Sequence, residues 1–522
     1  MNLLISFLPI LLPFLFLVIL KMSAKLGMTL SFIAVLIGAY FFWDMELLTL
    51  TASVIQGLHK ALGILIILFG AIMMMNVLKM NGAIDRINFG FNNLTTDMRL
   101  QAIVIAFLFG GLIEGVAGFG TPAVVVAPLL VALGFKPIAA ATLALVSNSV
   151  PVPFAAVGTP VQIGLGNIST LPEFQNTIAE YITSIDFLAG IFMPTIVVMM
   201  LVYFFGKNNT KKDYLEILPW TLFIGFMYTL IAYIIARTLG FEFVTIVTIL
   251  SMLIISTLTI KFNILIPKNK WTKAIIEVKS PKKSEMNIFR AWAPYGLVII
   301  LLVLTRVVPP IKTFTRTFVD LSINNILGID SINSSLQFLY SPGFILILSA
   351  ILAVFIQKAN RRNILEASKV SINTVKGAAL ALIPTLAMVQ IFSNSGLNTS
   401  SLDSMPIYLA SYLGQYLNGI WYNLAPFIGE LGSFITGSAT VSALTFSPVQ
   451  QSIALEYGLN SDLILSLGLM GGAAGNMICV HNVVSVSTVV NTEGQEGAII
   501  KKTIIPAILY GLLIGFSALI LF

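Results

Sequence analysis

The sequence predicts an all-α polytopic membrane protein of about 12–14 transmembrane helices. These fall into two inverted repeats that carry re-entrant hairpins and broken helices. Three observations lead there. Hydrophobic residues make up 57% of the 522 residues, charged residues only 10%, and mean hydropathy is +0.96; a soluble domain carries about 25% charged residues. Apolar runs of bilayer-spanning length recur from Leu3 to Phe522. Two regions interrupted by glycine and proline occur in matching order, one in each half of the chain.

The runs follow in order. Leu3–Leu20 has its first positive charges, Lys21 and Lys25, after it, and no small-residue cleavage site, so it reads as a span and not as a secretory signal. Met28–Trp43 and Ala61–Leu78 are continuous apolar runs. Leu100–Ile113, Ala123–Phe135 and Ile138–Val157 are short and fall in the first interrupted region. Phe187–Phe205, Leu218–Ala236 and Phe243–Ile260 close the first half. Trp292–Val308, Phe344–Ile356 and Ala378–Phe392 open the second, and residues 406–418 suit an interfacial or partial helix. Ile420–Ile435, Val441–Leu455 and Leu463–Val490 form the second interrupted region, and Ile504–Leu521 ends the chain.

The expected organisation is an N-terminal transmembrane half over residues 1–260, with a first hairpin and broken-helix unit at 112–164. A basic cytoplasmic loop covers 261–290, and a C-terminal half over 291–522 holds the second unit at 428–490. The net charge of +7 sits mostly in loops. It reports orientation, not nucleic-acid binding. The basic groups Lys21/Lys25, Lys79/Arg86/Arg99, Lys207/Lys211/Lys212, Lys261 to Arg290, Lys358 to Lys369 and Lys501/Lys502 can all face the cytoplasm with both termini outside.

The first interrupted region reads "LIEGVAGFGTPAVVVAPLLVALGF" and then "LVSNSVPVPFAAVGTPVQIG"; the second reads "IGELGSFITGSATVSALTFSPVQ" and then "MGGAAGNMICVHNVVSVSTVV". Each starts with a carboxylate, Glu114 or Glu430. A glycine turn with a hydroxyl comes next: Gly118–Phe119–Gly120–Thr121, and Phe434 to Ser438 with Thr436 and Gly437. An asparagine, Asn148 or Asn476, opens the second broken segment. On the charge pattern the two units enter the membrane from opposite faces, the mark of inverted repeats. Breaks of this kind release backbone groups that lipid cannot satisfy, so they belong where protein or a watery cavity covers them. Two helix N-termini facing one cavity can hold a small carboxylate without arginine. Thr121, Ser149, Thr159, Thr436, Ser438 and Thr440 can add hydroxyl hydrogen bonds. Close helix packing through small residues is the better explanation of one such motif alone; the matched pair favours a site.

Glu114 is the sharpest single residue, because a carboxylate at the bilayer centre costs about 2.5–3.5 kcal/mol on insertion scales. Burial disfavours the charged form, so the group can take up a proton on one side and lose it on the other. Glu430 carries the same argument nearer an interface, and His481 in "ICVHNVV", beside Asn482, is either a proton relay or a satisfied core residue. His59 reads as interfacial, and Arg237 as solvated at a short outside turn. The single cysteine, Cys479, excludes an intrachain disulfide, and two histidines exclude a His-rich metal site. No cofactor or metal is expected. A membrane enzyme would need a nucleophile–base pair or metal cluster that the chain does not offer.

At "EGVAGFGTP", "LGFKP", "SNSVPVPFAAVGTP", "FITGSATVS" and "GNMICVHN" the sequence resembles the lactate permease family of secondary transporters. The resemblance covers nearly the whole chain. It implies import of L-lactate, and of D-lactate and glycolate, with protons across the plasma membrane by a multi-pass carrier, and no enzymatic activity. It places the buried acid at Glu114, the glycine turn at Gly118 and Gly120, the second motif at Thr436 and Gly437, and the asparagine–histidine region at Asn476, His481 and Asn482. Glu114, His481 and Glu430 are the expected proton-coupling groups. Gly118, Gly120, Thr121, Asn148, Ser149, Thr436, Gly437, Ser438, Thr440, Asn476 and Asn482 are the expected substrate-binding groups. The expected partners are L-lactate and related hydroxy acids, protons and the lipid bilayer, with homo-oligomerisation left open. Sodium coupling through unwound carbonyls and Asn148 or Asn476 stays the alternative.

Overall fold

The computed structural model describes residues 2–20, 22–116, 118, 120–166, 168–169, 171–272, 286–417 and 420–522. Ala117 and Phe119 of the first glycine turn, Lys21, and Lys273, Lys279, Lys282 and Lys283 of the basic loop lie outside them. Among the described residues the chain is helical, and its β pairing is limited to two isolated bridges, Asp320 to Gln337 and Ile323 to Ser334.

Among the described residues, eight helices are long and apolar enough to cross a membrane, the longest being Leu47–Met80 and Pro172–Phe205 at 34 residues each. Arg362–Gly377 and Ala379–Ser393 form a further candidate bent by 49°. Five shorter apolar helices of 10–17 residues, among them Thr121–Ala132 and Pro137–Val146, match further runs foreseen in the sequence. Residues 406–418 do form a helix, Met405–Leu417. One boundary shifts: the run drawn from Phe187 begins at Pro172, because the helix continues through Asp186 and its polar N-terminal turns.

Small residues set the closest approaches. A Cβ on Gly57 would strike the backbone of Ala387, and one on Gly70 would meet the carbonyl of Gly343 at 2.5 Å, so Leu47–Met80 lies against its neighbours backbone to backbone. The same holds between Trp421–Thr436 and Ser461–Gly475. There Gly429 faces the carbonyl of Gly468, Gly471 the backbone of Pro426, and Gly475 that of Glu430. Membrane helices associate by such packing, because lipid gives them no hydrophobic drive.

Outside the spans, the 318–338 segment is tied to Leu47–Met80. His59 uses both ring nitrogens, Nδ1 to the Ser334 hydroxyl at 2.7 Å and Nε2 to the Leu321 carbonyl at 2.9 Å. Gln56 Nε2 donates to the Asn333 carbonyl at 2.7 Å. Ala52, Ile326 and Ile332 form a small core beneath.

One loop charge is not solvated. Arg99 is 1% exposed and forks onto Asp97, with Nε donating to Oδ1 at 3.0 Å. Its remaining donors reach the carbonyls of Asp213 at 2.7 Å and Asn269 at 2.8 Å. Asp97 also accepts from the Trp271 amide at 3.1 Å, so the pair pins the start of the basic loop to the span that leads to Glu114. Removing one partner of such a pair strands a buried charge. Asp97→Ala is therefore expected to lower stability by about 3–5 kcal/mol, read as an earlier thermal transition in detergent; an unchanged transition would show that the carbonyls alone hold the guanidinium.

Candidate functional site

The first break is made by backbone angle. Gly110–Val116 carries Glu114 and stops where Gly118 and Gly120 take left-handed φ values of 61° and 76°. Such angles strain any residue with a Cβ. Thr121–Ala132 then restarts with Pro122 in its first turn. A Cβ on Gly120 would stand 2.5 Å from Asn482 Oδ1, so the bare glycine admits an asparagine from the other half of the chain.

The second break follows the same plan. Trp421–Thr436 ends at Gly437, φ 72°, and the His481 ring fills the space a Cβ there would need. Ser438 is extended, and its hydroxyl accepts from the Val441 amide at 3.3 Å, capping Ala439–Glu456. The broken segments behind these turns also match. Pro137–Val146 is interrupted at Ser147 to Pro151, before Val152–Phe154 and Ala155–Gln162; Ser461–Gly475 is interrupted at Asn476 to Cys479, before Val480–Val489.

The released backbone is satisfied by hydroxyls. The Pro151 carbonyl accepts from Thr245 Oγ1 at 3.2 Å, Ala156 from Thr159 at 2.6 Å, and Gly429 from Ser442 at 2.8 Å. Thr436 serves both Gly432 at 2.8 Å and Ser438 at 3.2 Å.

Both units meet in one cavity of about 280 Å3. The first unit contributes Glu114, Gly118, Val152, Ala155, Ala156, Thr159 and Pro160; the second contributes Gly437, Ser438, Ala439, Thr440 and Asn476. Glu114 is 1% exposed, and its Oε2 accepts from Asn148 Nδ2 at 2.7 Å. Asn476 Oδ1 accepts from the Ser433 hydroxyl at 2.8 Å, which turns its amide nitrogen away from that bond. The Ser438 hydroxyl keeps its proton to donate, beside the N-terminal amides of Ala439–Glu456. The arrangement offers hydrogen-bond donors and one protonatable acid to a single small guest.

Not every expected residue reaches this cavity. Glu430 is 5% exposed and neither oxygen has a partner, but Oε2 faces Gly511, where a Cβ would stand 3.1 Å away, on Glu496–Leu521. Thr436 and Ser149 spend their protons on backbone, Ser149 on the Val146 carbonyl at 2.9 Å. Thr121 is fully buried with its hydroxyl unpartnered. His481 and Asn482 stand behind the glycine turns and not in the cavity wall, with His481 Nδ1 at 3.4 Å from Cys479 Sγ. Among the described residues, no group of three or more His, Cys, Asp or Glu could hold a metal ion.

The sequence reading passed over a third buried acid. Asp186 is 4% exposed, and its Oδ1 accepts from the Tyr510 hydroxyl at 2.7 Å. Tyr510 neighbours Gly511, so Glu496–Leu521 lies between Asp186 and Glu430. The available signal was one aspartate in "YITSIDFLAGIF". Arg237 is exposed, as expected, and at the surface donates to Ser184 Oγ at 2.8 Å and stacks on Tyr233 at 3.5 Å.

Interrupted helices that close on a small polar cavity inside a bundle of spans are the build of a membrane transporter. The chain belongs to the L-lactate permease family, whose model matches residues 2–522. A Haemophilus influenzae protein named "Putative L-lactate permease" is 31% identical over 500 residues, covering 92% of this chain and 90% of its own. The glycolate permease GlcA of Escherichia coli is 25% identical, covering 100% of this chain and 95% of its own. The L-lactate permease of Bacillus subtilis is 26% identical, covering 81% and 78%. Among solved structures, the Alcanivorax borkumensis YdaH transporter covers 87% of this chain and 85% of its own at 16% identity, with a TM-score of 0.30, too low to support an argument.

Tyr510→Phe removes the hydrogen bond that Asp186 Oδ1 accepts from the Tyr510 hydroxyl. Leaving a buried acceptor unpaired costs about 1–3 kcal/mol, so the variant should melt earlier in detergent than the parent. Equal melting would mean that Asp186 finds another donor.

Proposed function

We propose that this protein imports L-lactate, and related 2-hydroxymonocarboxylates including D-lactate and glycolate, together with protons across the plasma membrane. The observation that carries the reading is the shared cavity, in which Glu114 and the capped helix start at Ser438 to Thr440 lie together. The family membership and the names of the lactate and glycolate permeases support the substrate class.

In this reading the substrate carboxylate lies at the amides of Ala439 and Thr440 and the Ser438 hydroxyl, where helix-end partial charge favours an anion. The 2-hydroxyl meets Asn476. Glu114 carries the proton. Its bond from Asn148 holds the carboxyl in place while Oε1, which has no partner among the described residues, takes and releases hydrogen. Gly118, Gly120 and Gly437 shape the turns, and His481, Asn482, Thr121, Ser149 and Thr436 support them rather than touch the guest. Residues 1–260 and 291–522 act as the two inverted halves, joined by the basic cytoplasmic segment 261–290. Binding of both solutes must favour the state that moves, because a ligand shifts an equilibrium only by its differential affinity.

Purified protein in liposomes, given labelled L-lactate and an imposed pH gradient with and without sodium, tests the reading. Acid outside should drive accumulation, and sodium should not change it. Glu114→Gln, which keeps the size and the acceptor for Asn148, should abolish acid-driven accumulation in protein that still folds. Accumulation equal to the parent's would remove Glu114 from coupling, and uptake that follows sodium and ignores pH would replace the proton.

A further inference from the structure

We propose that the methyl group of Ala156 sets the length of acid that the cavity accepts, excluding 2-hydroxymonocarboxylates longer than lactate. The proposal rests on the transport reading and adds the residue that limits substrate size.

Ala156 lines the cavity and has φ 45°, in the left-handed region. Alanine is strained there and glycine is not. Two residues on, Gly158 has φ 77° and is a glycine, at a spot where the Phe241 ring leaves no room for a Cβ. The chain thus uses glycine where packing demands it and keeps a methyl at Ala156, where glycine would relieve strain. Strained backbone held at a binding site points to a role for the strained group. The turn is pinned, with Thr159 Oγ1 donating to the Ala156 carbonyl at 2.6 Å. The neighbour across is bare: a Cβ on Gly118 would stand 3.4 Å from the Ala156 methyl. The buried methyl lies against the bare Gly118 turn and lines the cavity.

It belongs to the apolar part of the wall, with Val152, Ala155 and Ala439. Val152 and Ala439 join in one buried cluster with Ala473, so this surface is continuous across the two halves of the chain. The C3 methyl of lactate needs such a surface, and the hydrogen of glycolate leaves it uncovered. A further methylene would collide with it. One methylene in an apolar pocket discriminates by about 10- to 200-fold.

The test is uptake into liposomes of labelled glycolate, L-lactate and L-2-hydroxybutyrate by the parent and by Ala156→Gly. The ratio of 2-hydroxybutyrate to lactate uptake should rise about tenfold in the variant, with the melting temperature no lower than the parent's. Val152→Ala widens the same wall without altering the left-handed turn, and should move the ratio in the same direction. An Ala156→Gly ratio equal to the parent's overturns the proposal; if that variant transports nothing, the Val152→Ala ratio decides it. A parent that takes up none of the three acids refutes the transport reading instead.

Discussion

Inside a bilayer an amide or carbonyl freed from its helix has no water to turn to, and the site described above exists only because this demand is met. Each break releases backbone groups near the place where a guest would bind. Thr245, Thr159 and Thr436 supply hydroxyls to the Pro151, Ala156 and Ser438 carbonyls so released, and Ser442 adds its own to the Gly429 carbonyl within the neighbouring helix. The two glycine turns then stand as short open pieces of backbone with polar walls. Without those side chains the turns would be costly defects in lipid, and continuous helices would replace them.

The turns also lock the two halves together. Gly120 admits Asn482 from the far half, and Gly437 admits His481 from the segment next to it. The pair His481–Asn482 therefore reaches both breaks from one helix, Val480–Val489. Sequence reasoning pointed at these residues as chemistry; their geometry gives them a packing role against glycine.

Much of this was readable in advance because insertion into lipid makes polar residues conspicuous. Glu114, the glycine turns and the order of the two units stood out from their apolar surroundings, and the structure brings Glu114, Gly118, Gly437, Ser438, Thr440 and Asn476 to one cavity. What did not show was direction. Glu430 looks like Glu114 in sequence, yet it points to Glu496–Leu521, and only helix rotation distinguishes them. Asp186 escaped because the apolar run was drawn to begin one residue after it, although the helix continues through it. Arg99 read as a solvated loop charge because its partner, Asp97, lies two residues away, where no helical spacing advertises a pair. Thr436 and Ser149 looked like ligands, but a hydroxyl's choice between guest and backbone depends on the fold around it.

The glycine seam between Trp421–Thr436 and Ser461–Gly475 limits how this protein can change shape. Gly429, Gly471 and Gly475 each face backbone with no side chain between, so a side chain brought to any of these three places would meet the opposing main chain. The two helices are thus interlocked like teeth in a rack and must travel as one block. Any motion that exposes the cavity first to one side and then to the other has to be taken up at the block's outer boundaries. The two helices of the block end at the non-helical links Gly437–Ser438 and Asn476 to Cys479.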